Sequence, residues 1–153
     1  MGSDGYEMNA NNVNHVYQGH FEQDTNDVVW KPLEPLKKAK TSYIIFKMKD
    51  NVYVAGGLDC RHQVLLCCDR LNLKENTWFS CKHSLPYPLD WASVVVSDDE
   101  SFAVITGRRK ANYVFRKRPC YSDSIIVFTE KEGFKVMPTG LLNKRFAYVS
   151  ILI

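Results

Sequence analysis

Asn51-Val-Tyr-Val-Ala-Gly-Gly57, with Leu71-Asn-Leu-Lys-Glu-Asn-Thr-Trp78 downstream of it, decides the fold. The first stretch is an apolar β-branched strand that ends on two glycines. There the backbone can bend and approach a neighbouring strand where a Cβ would clash. The second carries a polar Lys-Glu-Asn turn and then a Trp, whose large apolar surface suits the space between two sheets. Working outward, Ser101-Phe-Ala-Val-Ile-Thr-Gly107 repeats the first stretch after 50 residues. Phe21-Glu-Gln-Asp-Thr-Asn-Asp-Val-Val-Trp30 anticipates the second, its first residue shifted by 50 and its Trp by 48. Phe128-Thr-Glu-Lys-Glu-Gly-Phe134 is a third copy, with Phe in the Trp position and a shorter turn.

The rest of the chain has the same texture. Tyr43 to Phe46, Val52 to Ala55, Val64 to Cys68, Trp78-Phe79, Ala92 to Val96, Phe102 to Ile105, Ile125 to Phe128 and Phe146 to Ile151 read as short strands. All are rich in β-branched and aromatic residues and are separated by polar or Gly-containing breaks. No window keeps a 3.6-residue period, so the expectation is all-β. A spacing near 50 residues, with four antiparallel strands per period, points to the blades of a propeller. An all-β sandwich, in which Gly56-Gly57 is a simple turn, is the alternative.

These residues resemble the kelch repeat: an apolar strand ending in Gly-Gly (Gly56, Gly57), a Tyr-like residue near the start of a turn (here Leu71), and a Trp about seven positions later (Trp78). The copy over residues 42–85 is the good one. In the copy over 91–138, Thr106 replaces the first glycine before Gly107, and Phe134 replaces the Trp. The earliest copy supplies only its last two strands, with Trp30. The resemblance implies a kelch-type propeller with an incomplete ring. It comprises a partial blade over 13–36, blades over 40–85 and 90–138, and a strand of a further blade over 145–153. Residues 1–12 read as an acidic, Asn-rich disordered tail. The period and the missing Trp-Asp pair set the chain apart from WD-type propellers. An open arc leaves strand edges and apolar faces that invite self-association.

Composition agrees with one globular domain: 153 residues, 45% apolar and 24% charged. No apolar run reaches the roughly 18 residues of a membrane span, and the polar start predicts no secretory leader. The five cysteines read as reduced thiols of a cytoplasmic protein, with two basic triplets that also suit nuclear import. The net charge of +3 is uneven. Residues 1–29 hold five acids and no Lys or Arg, giving −5 and leaving +8 on the remainder. Such asymmetry attracts acidic partners to the basic part.

Arg108-Arg109-Lys110-Ala-Asn-Tyr113-Val-Phe-Arg116-Lys117-Arg118 is the most distinctive candidate site. It reads as a loop protruding after Gly107, a place where binding contacts concentrate. The expected partner is a protein with an acidic surface or motif. Interleaved aromatics would suit base stacking, but no recognition motif occurs, and nucleic acid is disfavoured. Cys60-Arg-His62 and Cys81-Lys-His83 are two Cys-x-His pairs that could hold zinc only if the fold converged them. The spacing matches no zinc module, so no metal or other cofactor is expected. Asp98-Asp99-Glu100 reads as a hairpin turn. No nucleophile elbow, metallohydrolase helix or phosphate loop occurs, and no enzyme is expected.

The kelch resemblance implies a protein-interaction module. In the wider family such modules recognise substrates for Cullin-3 ubiquitin ligases, beside BTB and BACK domains, or bind actin. A small metal- or redox-responsive protein using the Cys/His positions is the alternative.

Overall fold

The computed structural model describes residues 14–109 and 124–140, and these are built from strands. A hairpin pairs β1 (Val16–Glu22) with β2 (Asp27–Leu33). Two four-stranded antiparallel meanders follow. The first runs β3 (Ile44–Met48), β4 (Asn51–Ala55), β5 (Cys68–Asn72), β6 (Thr77–Ser80); the second runs β7 (Leu89–Val96), β8 (Ala103–Arg109), β9 (Ile125–Thr129), β10 (Gly133–Val136). No helix occurs among the described residues, and none is long and apolar enough to cross a membrane.

Residue alternation assigns the faces. In β4, Val52 and Val54 join Leu71, Trp78, Leu36, Val16 and Leu33 in a core between the hairpin and the first sheet. Tyr53 and Ala55, on the opposite face, join Phe46, Cys68, Ile105, Ile126 and Phe128 in a larger core between the two sheets. Phe46, Tyr53, Phe128 and Phe134 form its aromatic centre. Phe46 stacks on Tyr53 at 5.2 Å between centroids, and Phe128 sits at 4.9 Å from Tyr53 and 4.6 Å from Phe134. Each four-stranded sheet thus turns its outer aromatic, Trp78 or Phe134, toward the element that precedes it in the chain.

Connections seal these contacts. After β2 the chain runs across the first sheet: Leu36 is buried, Lys40 reaches Asp69, and Thr41 pairs with Leu58. After β6 the next connection does the same for the second sheet. Leu85 is buried, and the His83 ring lies 2.3 Å from where a Cβ on Gly133 would stand, so only glycine fits there. Both connections also pair back on the segment that leads into a strand of the element they leave, with the Leu36 N–H on the Asn14 carbonyl ahead of β1 and the Leu85 N–H on the Leu66 carbonyl ahead of β5.

Several expectations shift. The run Val64 to Cys68 is not the third strand of its sheet. Residues 64–67 lie against Gly57 and Leu58, and β5 begins at Cys68. Trp30 is not the counterpart of Trp78. Phe21 pairs with Val28 as Leu71 pairs with Trp78, and the turn residues Asn26 and Asn76 both take positive φ, so the offset is a uniform 50 and Val28 holds the Trp position. In the second sheet Ala103 and Ile105 face backward as Val52 and Val54 do, which aligns Gly107 with Gly56 rather than Gly57. A one-residue slip would reverse every face, so the face pattern overrides the letter-by-letter match. Gly107 also lies inside β8, which continues through Arg108 and Arg109 paired with Asp90 and Leu89. The strand expected near 145–153 and the tail at 1–12 fall outside the described residues.

Candidate functional site

An antiparallel meander puts its tight turns at one end and its longer connections at the other. The tight-turn ends of the two sheets are tied together by carboxylates. Glu100 accepts from Lys47 Nζ at 3.1 Å and from the Lys49 amide, and Glu130 accepts from the Tyr53 hydroxyl at 2.5 Å and Asn51 Nδ2 at 3.3 Å. Burial and the adjacent Glu130 carboxylate push Tyr53 ionisation well above that of an ordinary phenol. Asp98-Asp99-Glu100 is indeed a turn. Asp99 Oδ1 accepts from the Ser97 and Ser101 hydroxyls at 2.7 and 2.8 Å, which holds its carboxyl below the usual range.

The opposite end carries residues 56–67 and the end of β8. Gly56 (φ 68°) leaves room for Leu85, whose Cδ1 would stand 2.7 Å from a Cβ there. Gly57 (φ 93°) passes the Thr41 carbonyl oxygen, which would lie 2.5 Å from one. Beyond this corner Asp59 Oδ1 accepts the amides of Arg61 and Gln63 at 2.9 and 2.8 Å, an Asx-capped loop that exposes Cys60 and sets His62 at φ 57°. Of the basic segment, Arg108 and Arg109 extend β8 at this end, and Lys110, Tyr113, Arg116, Lys117 and Arg118 lie outside the described residues.

Two polar constellations flank the corner. Lys40, almost fully buried, places Nζ 2.6 Å from Asp69 Oδ2 and 3.7 Å from Cys67 Sγ. Cys68 and Cys81 face one another across β5 and the end of β6, where the Cys81 amide donates to the Cys68 carbonyl at 2.8 Å. The neighbouring Cys68 thiol, with Arg70 beside it, pulls Cys81 below an ordinary thiol, while the pairing and burial push Cys68 up; the Cys68 Sγ itself lies 3.9 Å from the Asp69 carbonyl oxygen. This pairing, not Cys60-x-His62 with Cys81-x-His83, is what the fold converges. His83 packs on Gly133, and no group of three or more His, Cys, Asp or Glu is placed to hold a metal among the described residues. Sequence reading missed the pair because Cys68 and Cys81 become neighbours only once β5 starts at Cys68.

It anticipated uncovered apolar faces but not which residues would form one. Tyr17, Phe21, Val28 and Trp30 share one side of the hairpin and are 57, 53, 43 and 63% exposed, whereas Leu71 and Trp78, which correspond to Phe21 and Val28, are 0 and 4% exposed. Trp30 lies over Gly19, with ring atoms 2.9 Å from where a Cβ would be.

No protein-family model matches the chain, and no curated protein matches it. Among solved structures 98 chains are similar. One, described as "Structure of YjhT", superimposes with a TM-score of 0.67 at 15% identity, over 86% of this chain and 47% of that one. At that identity the likeness is one of fold, and the chain spans about half the length of that relative.

Proposed function

We propose that the chain is a kelch-type protein-interaction module, its sheets successive blades of an incomplete propeller, and that it binds a protein partner through the connections gathered at one end. One observation carries this reading: each sheet is sealed by the connection leaving the element before it, Glu34 to Lys40 over the first sheet and His83 to Leu85 over the second. Repeated face-to-face stacking of that kind supports blades over a sandwich, in which two sheets share a single core. A rigid stack holds loops for recognition and needs neither cofactor nor catalytic group. The basic segment from Arg108 to Arg118 is the contact we assign to an acidic surface or motif, in the cytoplasm or nucleus. Substrate recognition within a Cullin-3 ligase and actin binding are the two roles that the kelch resemblance offers.

The test is recovery of partners from a lysate by the intact chain and by a variant with Arg108, Arg109, Lys110, Arg116, Lys117 and Arg118 changed to Ser. Acidic partners captured by the first and lost by the second are expected; equal recovery removes the segment from the reading. A redox-responsive role is the second reading, favoured by the Cys68–Cys81 pair.

A further inference from the structure

We propose that Cys68 and Cys81 form a reversible oxidation site, in which Cys81 attacks a hydroperoxide and Cys68 then closes a cross-strand disulfide on it. The proposal rests on the second, redox-responsive reading and supplies its residues and its oxidant.

The ladder supplies the geometry. Asp69 pairs with Ser80, and one step further the Cys81 amide donates to the Cys68 carbonyl at 2.8 Å, so the two cysteines stand directly opposite each other. Opposite residues share a face of the sheet. Here it is the face toward the larger core, where Cys68 is buried and Cys81 packs against it. A hydrogen-bonded antiparallel pair holds its Cα atoms about 5.5 Å apart. A disulfide spans about 4.4–6.8 Å between Cα atoms, so the bond needs side-chain rotation and no movement of the strands. The Cys68 Sγ contact to the Asp69 carbonyl oxygen is long, 3.9 Å, and little is lost when that sulfur turns. The adjacent Cys67 points to the opposite face, where Lys40 Nζ lies 3.7 Å from its Sγ.

Exposure divides the roles. Cys81 is partly exposed, whereas Cys68 is 1% exposed and closed to an oxidant arriving from solvent. The neighbouring Cys68 thiol, and then Arg70 two residues along the same face, favour the Cys81 thiolate, which is the nucleophilic form. That thiolate attacks a peroxide oxygen. The O–O bond breaks, an S–O bond forms, and the leaving oxygen departs with a proton as water or alcohol, giving a sulfenic acid at Cys81. The Cys68 sulfur then attacks the Cys81 sulfur: the S–S bond forms, the S–O bond breaks, and hydroxide leaves as water with the Cys68 proton. Together the two thiols give up two electrons and two protons, and the peroxide takes them. A dithiol reductant reverses the sequence by thiol–disulfide exchange. The bond anchors Cys81, where the connection toward His83 and Leu85 begins.

The test treats the reduced full chain with hydrogen peroxide at neutral pH, blocks the remaining thiols with iodoacetamide and maps disulfides by mass spectrometry. A Cys68–Cys81 link that dithiothreitol removes is expected. In Cys68→Ser, dimedone is expected to label Cys81 severalfold more than in the parent chain, because the sulfenic acid is no longer resolved. Cys81→Ser is expected to leave Cys68 unoxidised at the same dose. The disulfide map of the parent chain decides even where a variant does not fold. A parent chain in which Cys81 stops at the sulfenic or sulfinic acid, or pairs with Cys60, Cys67 or Cys120, overturns the proposal. Reversible pairing among those other cysteines leaves the redox-responsive reading standing without this site, and the absence of any reversible oxidation removes both.

Discussion

The indole Nε1–H of Trp78 donates to the backbone carbonyl of Glu34 at 2.7 Å, joining the outer strand of one sheet to the connection that leaves the hairpin before it. The same ring is 4% exposed and packs with Leu36, Val54 and Leu71. Trp78→Phe retains most of the apolar contact and is expected to cost about 1–2 kcal/mol through the abandoned carbonyl. Trp78→Ala opens a cavity as well and is expected to cost about 3–5 kcal/mol. Urea unfolding of the two variants separates the terms; equal losses would refute a role for the hydrogen bond.

Gly57→Ala sets a methyl group against the Thr41 carbonyl in a backbone of positive φ. The conformation alone disfavours an L-residue by about 1–2 kcal/mol, and the clash adds to it. Asn26→Gly relaxes a positive φ in an exposed turn and is expected to be neutral or slightly stabilising. Thermal melts of both variants check the contrast.

Lys40 and Asp69 are unequal partners, with side chains 1 and 25% exposed. Asp69→Ala strands a buried ammonium and is expected to cost about 3–5 kcal/mol. Lys40→Met leaves a carboxylate that water still reaches, so a distinctly smaller loss is expected in the same denaturation assay. The reverse order would contradict the burial.

Tyr53 is protonated in the folded protein well past the ordinary phenol range near 10. Because the folded value lies above the unfolded one, the stabilisation is complete below about pH 10 and declines as pH rises beyond it. Tyr53→Phe is therefore expected to flatten the alkaline fall in stability. Phenolate absorbance should show one tyrosine in the parent protein that titrates only with unfolding.

Cys81 owes its lowered ionisation first to the Cys68 thiol. Cys68→Ala is expected to slow its alkylation by iodoacetamide at neutral pH, and Cys68→Ser, which keeps an O–H donor, is expected to restore much of the rate. Mass spectrometry resolves Cys81 from the exposed Cys60 and Cys67. An unchanged rate in Cys68→Ala would sever the link.

Strand content was legible in the sequence where alternation and β-branching coincide, as in β3, β4, β7, β8 and β9. It was misread where hydrophobicity and pairing diverge. Val64-Leu-Leu-Cys67 is the more apolar run, yet Gly56 and Gly57 carry the chain round a wide corner, and the ladder resumes only at Cys68-Asp-Arg-Leu-Asn72. Tryptophan is the most recognisable letter and invites a match of Trp30 to Trp78; register, fixed by the turn with Asn26, gives that position to Val28. Which apolar residues stay uncovered is a question of neighbours, and no local pattern encodes it. For that reason the hairpin face and the Cys68–Cys81 pair emerged only from the fold.

Since the connection over each sheet belongs to the element synthesised just before it, the lid is made ahead of the surface that it closes. On the ribosome Glu34 and Leu36 are already waiting when Trp78 emerges, and His83 when Gly133 does. The covering residues thus precede the covered ones in chain order, so each cover has already been synthesised when the sheet beneath it emerges.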